Sequence, residues 1–237
     1  MASLMNSNRL GNRAAPCRTR RNVRLVVHAT QSGNYQSGSQ ALSQSQPTTG
    51  RAKVLQLLGE GLGLYNGAEQ FEPAVKQLIL ENPTVAPGSF AVQLGQGTWQ
   101  VFHAPHISKM SSALSTRFSP IQYRLTGTAL VSNVKYSSPL LGDGWLSAGG
   151  TMARKYDDAV EVTFDRFWVD LGADSLRADL PADSAKQLFT PDGVVGALGR
   201  AAFFPQLAVF PVLYLDSDLA VFKFTPLDSA IACHRVA

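Results

Sequence analysis

His103 and His106 are the first pair of side chains in this chain that could do chemistry, because imidazoles bind metals and move protons. A spacing of three places them on opposite faces of a strand, and no neighbouring Cys or Asp completes a ligand set, so no metal is expected. Asp216 and Asp218 are the second pair. Two carboxylates on one strand face are material for acid/base catalysis, but beside a turn they accept hydrogen bonds from backbone N–H groups, and that role is the expectation here. No Gly-x-Ser-x-Gly elbow presents a nucleophile, and Gly193, Gly196 and Gly199 lack the Lys-Ser/Thr of a phosphate loop. The chain therefore reads as a binding protein, with no catalytic residue and no cofactor.

Binding requires an interior. Alternation directs Val101, Tyr123, Val162, Phe164, Phe222 and Phe224, together with Trp99, to one face of their strands. Such residues either fill a small barrel or line a cavity in it, and the pattern alone leaves both open.

The elements that must position these residues begin at 97–107, where Gly97-Thr98-Trp99 opens a series of short strands that continues to the end of the chain. Glycine allows a sharp turn there, and the indole of Trp99 can close one end of a barrel. Ile121, Tyr123 and Leu125 alternate with polar residues and lead into a hairpin turn at Thr126-Gly127-Thr128. Strands follow at 129–138, 144–156 and 159–171, with turns at Asp143-Gly144 and Asp157-Asp158. A change of parity after Phe164 predicts a bulge near Asp165-Arg166. Residues 173–202 break the pattern: 184–189 could make a helical turn, and the glycines beyond suggest an adaptable loop at the barrel mouth. Strands resume at 207–216, 219–224 and 229–236. The expected fold is mainly β: an antiparallel barrel of about eight strands over 83–237, which removes its own edges.

A helical hairpin over 51–82 precedes it. Val54, Leu58, Leu62 and Tyr65 form one stripe before Gly67, and Val75, Leu78 and Ile79 form another, with Pro73 in a first turn and Asn82-Pro83 as the stop. Gly59, Gly61 and Gly63 weaken the first helix, so it must lean on a partner. The hairpin either packs against the barrel or plugs one end of it.

Residues 30–50 carry no charge and little apolar surface, as in a flexible linker. Residues 1–29 hold six arginines and no acid, and the first acid of the chain is Glu60. That is the composition of an organelle transit peptide, with cleavage expected after Ala29; Leu25-Val26-Val27 is too short for a secretory signal. The formal charge of +4 is concentrated there, so the remainder is slightly acidic and nucleic acid is not an expected partner. Cys17 falls in the leader and Cys233 in the last strand, so no disulfide is expected. The longest apolar run, 201–215, contains Pro205, Gln206 and Pro211 and is too short for a membrane span.

Asn82-Pro83-Thr84, residues 97–102 and the run Tyr214-Leu215-Asp216-Ser217-Asp218-Leu219 together resemble the signature of the plastid lipid-associated proteins, or fibrillins. The resemblance covers about 51–237 and implies a lipocalin-like barrel, residence in chloroplasts at plastoglobules or thylakoids, and an apolar lipid ligand such as a prenyl lipid, quinone, carotenoid or acyl lipid. In that family an arginine commonly follows the Tyr-Leu-Asp-x-Asp-Leu run; Ala220 stands there in this chain, which marks it as divergent. Lipocalin-type barrels also stack an arginine of the last strand on the Gly-x-Trp indole, and Arg235 matches that position, implying a structural role with Gly97 and Trp99 at the barrel floor. Two readings stand. One is a carrier that holds a lipid inside the barrel. The other is a structural coat on plastoglobules, with a filled barrel, docked by exposed apolar loops such as Phe203-Phe204 and by a plastid protein partner. An enzyme acting on a lipid ester or quinone is the least expected of the three.

Overall fold

The computed structural model divides the chain into two units, 1–44 and 45–237, and the described residues (49–172, 176, 191–202 and 208–236) all belong to the second. Expectations for 1–48, for 184–189 and for Phe203 and Phe204 lie outside the described residues.

Eight strands form a closed antiparallel barrel in simple chain order: β1 (Gly97–His103), β2 (Arg117–Thr126), β3 (Ala129–Ser138), β4 (Gly142–Tyr156), β5 (Ala159–Leu171), β6 (Val209–Leu215), β7 (Leu219–Phe224) and β8 (Ser229–Arg235). Closure comes from β1, which pairs with β2 through Trp99↔Tyr123 and with β8 through Trp99↔Arg235. The expected bulge is present: Gly149 pairs with Arg166 and Gly150 with Phe164, leaving Asp165 unpaired. One turn is displaced. Asp143 and Gly144 belong to β4, and the chain reverses at 139–141, followed by Gly142 at φ 69°.

α1 (Gly50–Gly59) and α2 (Ala68–Leu80) form the expected hairpin with different limits. Thr49 caps α1 by accepting from Ala52 N at 3.2 Å, and the helix stops at Gly59 rather than reaching 66, so Leu62 and Tyr65 lie beyond it. Its buried stripe is Val54 and Leu57, one position earlier than the expected Leu58. α2 starts five residues before Pro73, which therefore sits inside the helix instead of in its first turn. Phe71, Ala74, Val75 and Leu78 supply its buried face at the i, i+3, i+4, i+7 spacing.

The hairpin plugs neither barrel end. Its stripes pack on the outer wall, against Phe102, Tyr214, Leu219, Val221 and Ala232, where Phe71 meets Phe102 at 4.8 Å between ring centroids. The ends are covered by two helices that the strand pattern did not announce. α3 (Pro87–Leu94) lies at the end where β1 starts, anchored by Gly88 N donating to Asp157 O at 2.8 Å. α4 (Pro105–Leu114) follows β1 at the other end and finishes with Ser115 in the left-handed region at φ 48°. Both begin with proline at the first helical position, where its fixed φ suits a helix and its missing N–H costs nothing.

Residues 191–202 also differ from the loop expected of their glycines: they form α5 (Pro191–Ala202), with Gly193 and Gly196 buried. β6 pairs with only the first three residues of β5, and α5 packs along β5 beyond them. There the Val169 N–H donates to Asp192 Oδ1 at 3.1 Å. Helix thus takes the place of strand on that stretch of β5.

Candidate functional site

The interior of the barrel contains two chambers. The first, about 120 Å³, lies toward the end closed by α3 and is walled by residues such as Trp99, Leu130, Met152, Val162, Phe164 and Phe222. The second, about 380 Å³, lies toward α4 and is walled by Val101, Phe118, Ile121, Leu146, Met110 and His106. Tyr123 and Ile231 line both chambers and form the waist between them. No charged side chain lines either chamber except the titratable imidazole of His106. That lining follows from strand alternation, since the inward positions of β1, β2, β5, β7 and β8 that wall the chambers carry apolar or aromatic residues or, at Cys233, a thiol, while Ser229 and Arg235 stand at the two ends of β8.

Six interior positions were expected to face a ligand. Val162, Phe164 and Phe222 line the first chamber, Val101 the second and Tyr123 both. Phe224 lines neither. It stacks on His106 at 5.0 Å and on Phe210 at 6.3 Å, making an aromatic group near the start of β8. The pattern overlooked Ile231, Cys233, Met152 and Leu130, although each obeys the same period of two within its strand.

Polar atoms facing this interior are few. The Trp99 indole N–H donates to Gly95 O at 2.7 Å. His106 Nδ1 lies 2.9 Å from Ser229 Oγ, and burial lowers its pKa, which favours the neutral ring. Cys233 is buried and its thiol is pushed up to about 12, so it is uncharged at neutral pH. Tyr123 lies deep inside, and its pKa is raised by burial and by the nearby Cys233. It nonetheless keeps accessible surface, and that surface faces the chambers.

At the floor, Gly97 holds φ 104°, a backbone conformation that favours glycine, and delivers Trp99 into the barrel. The Arg235 guanidinium stands 4.5 Å from the Trp99 ring centroid. Its nitrogens donate to Ser217 O at 2.6 Å, to Leu94 O at 2.6 Å and to Gln96 O. The stack thus joins β1, β8, the end of α3 and the β6–β7 turn.

Asp216 and Asp218 flank that turn. Asp216 Oδ1 accepts from the N–H groups of Asp218 and Leu219, both at 2.7 Å, and Oδ2 accepts from Tyr214 Oη at 2.6 Å and Arg51 Nε at 2.8 Å. Asp218 completes the group by pairing with Arg51 Nη2. Burial opposes the charge on Asp216, but these donors outweigh it and hold its pKa below the usual value. A carboxylate committed to four donors is a structural anchor and not a general base. Arg51 of α1 supplies a guanidinium to the motif whose following position is Ala220, so the motif pins the helical hairpin to the barrel.

His103 and His106 do not share a strand. His106 belongs to α4, and His103 ends β1 facing Phe71 of α2. Among the described residues no group of three or more His, Cys, Asp or Glu side chains is placed to hold a metal ion. None of their helices is long and apolar enough to cross a membrane.

No family model matches this chain, and no curated protein matches it.

Proposed function

We propose that this protein carries an apolar lipid inside its barrel and is not an enzyme. The observation that supports the reading is the pair of apolar chambers meeting at Tyr123 and Ile231, since a barrel packed solid by its own side chains would leave neither. Each ligand methylene buried there contributes ~0.8 kcal/mol, so a prenyl or acyl tail is held without a charged anchor. The fibrillin-like residues and the acid-free, arginine-rich start favour a chloroplast protein that works at plastoglobules or thylakoids.

Exposed apolar residues favour docking by one end of the barrel. Leu140 (90% exposed) and Leu141 (69%) at the β3–β4 turn, Leu114 of α4 and Leu227 before β8 all lie at the end where the second chamber is found. An apolar surface beside the chamber allows a ligand to pass between a lipid phase and the barrel without crossing water. The coat reading shares this docking surface but requires a filled barrel.

The test is native mass spectrometry of the protein isolated under mild conditions, with extraction and identification of what is released. A stoichiometric prenyl lipid, quinone, carotenoid or acyl lipid is expected. A protein that stays empty when offered all four would overturn the carrier reading in favour of the coat.

A further inference from the structure

The Tyr123 hydroxyl is the unusual polar group of this interior. The Trp99 N–H is satisfied by Gly95 O and His106 Nδ1 by Ser229, whereas Tyr123 Oη has no hydrogen-bond partner among the described residues, and Tyr123 lines both chambers. Its oxygen keeps accessible surface, and a hydroxyl donor that faces apolar walls with no protein acceptor marks a place for a ligand atom. Its surroundings keep it protonated, which makes it a hydrogen-bond donor. The Cys233 thiol beside it is also protonated and is a weak donor at best.

Resting on the carrier reading above, we propose that the ligand is a neutral lipid with a hydrogen-bond-accepting oxygen between two apolar arms, and that Tyr123 Oη donates to that oxygen. The acceptor belongs in the interior of the molecule because Tyr123 stands at the waist: one arm lies in the α3-side chamber and the other in the α4-side chamber. An ester, ketone or quinone carbonyl meets this description. A free carboxylate does not, because neither chamber is lined by Lys or Arg and burial favours the neutral form of His106, the one imidazole in the lining, so a buried carboxylate would meet no positive charge. A pure hydrocarbon would fill the arms and leave the phenol unpaired. A site with a committed donor discriminates strongly against an analogue that lacks the acceptor.

The proposal is tested with the full chain and four C13 probes: 7-tridecanone, 2-tridecanone, tridecane and tridecanoate. Affinities are read by competition against a fluorescent apolar dye. The mid-chain ketone is expected to bind about tenfold tighter than the alkane, and tighter than both the terminal ketone and the carboxylate. In Tyr123→Phe, which removes only the unpartnered oxygen, the ketone is expected to fall to the alkane's affinity while the alkane itself is unchanged. Isotope-edited infrared spectra of 13C-carbonyl 7-tridecanone supply a second readout: the stretch moves to lower frequency in the wild type and does not in Tyr123→Phe. A ketone preference that survives Tyr123→Phe, or a carboxylate that binds best, overturns the assignment of Tyr123 while leaving the carrier reading standing. If the wild type binds none of the four probes, both the assignment and the carrier reading fall.

Discussion

Trp99 and Arg235 are directly paired across β1 and β8, and the guanidinium stacks 4.5 Å above the indole while donating to three backbone carbonyls, two at the end of α3 and one in the β6–β7 turn. One side chain thus closes the barrel seam, caps the floor helix and holds the β6–β7 turn. Removing it leaves several carbonyls to water and frees the indole. Arg235→Ala is expected to cost ~2–4 kcal/mol, and Trp99→Ala ~3–5 kcal/mol through the cavity it opens. In thermal melts this corresponds to a fall of roughly 5–15 °C for a domain of this size. Two variants that melt like the wild type would remove the stack from any structural role.

The Asp216 anchor has a pH signature. Its folded pKa is depressed, so its stabilisation is complete above the unfolded carboxylate value of about 4 and is lost as pH falls through the folded value. Asp216→Asn is therefore expected to be less stable than the wild type at pH 7, with the gap narrowing below about pH 4. Urea unfolding at a series of pH values measures this. A gap that stays constant with pH would show that charge on Asp216 contributes nothing.

Three histidines work in the same direction at milder pH. Burial lowers the pKa of His103, His106 and His234, partly opposed at His103 by Glu72 and at His234 by a backbone hydrogen bond. Each is held neutral in the fold, so the stability it contributes is present above the unfolded value of about 6.5 and declines as pH falls below it. The melting temperature is expected to drop between pH 7 and pH 5, and the drop should be shallower in His103→Gln and in His106→Gln. The same slope in both variants would assign the acid sensitivity to other groups.

Gly88 tests the seating of the floor helix. A Cβ built there would lie 2.4 Å from Ala159 N and 2.5 Å from Tyr156 O, both backbone atoms that cannot swing aside. Gly88→Ala is expected to lift α3 from the β4–β5 turn and cost ~1–3 kcal/mol, in the range of an overpacked core. Because Ala91 and Gly95 at this end line the first chamber, the same variant should weaken retention of whatever ligand occupies it. Hydrogen exchange should then quicken at the position 88 amide, which is bonded to Asp157 O in the wild type. Unchanged protection there would mean that α3 tolerates the methyl group without moving.

What the sequence determined by itself was the wall of the barrel. Alternation located 129–138, 159–171 and 219–224 as strands with the limits observed for β3, β5 and β7, and the parity change after Phe164 located the bulge at Asp165. These features are local, because a period of two is written into neighbouring residues and one inner face must be apolar. The inward set of Val101, Tyr123, Val162, Phe164 and Phe222 followed from the same rule. Tertiary structure alone decided what covers the barrel and what is bound to what. α3 and α4 are too short for a periodic signal, and α5 overrides its glycines by packing on the stretch of β5 beyond its pairing with β6. The bond from Arg51 to Asp216 spans 165 positions, and no local spacing announces it. Whether inward residues fill a barrel or surround a chamber depends on how far opposite walls stand apart, a distance set by strand number, tilt and register around the closed sheet and not by any one strand's sequence.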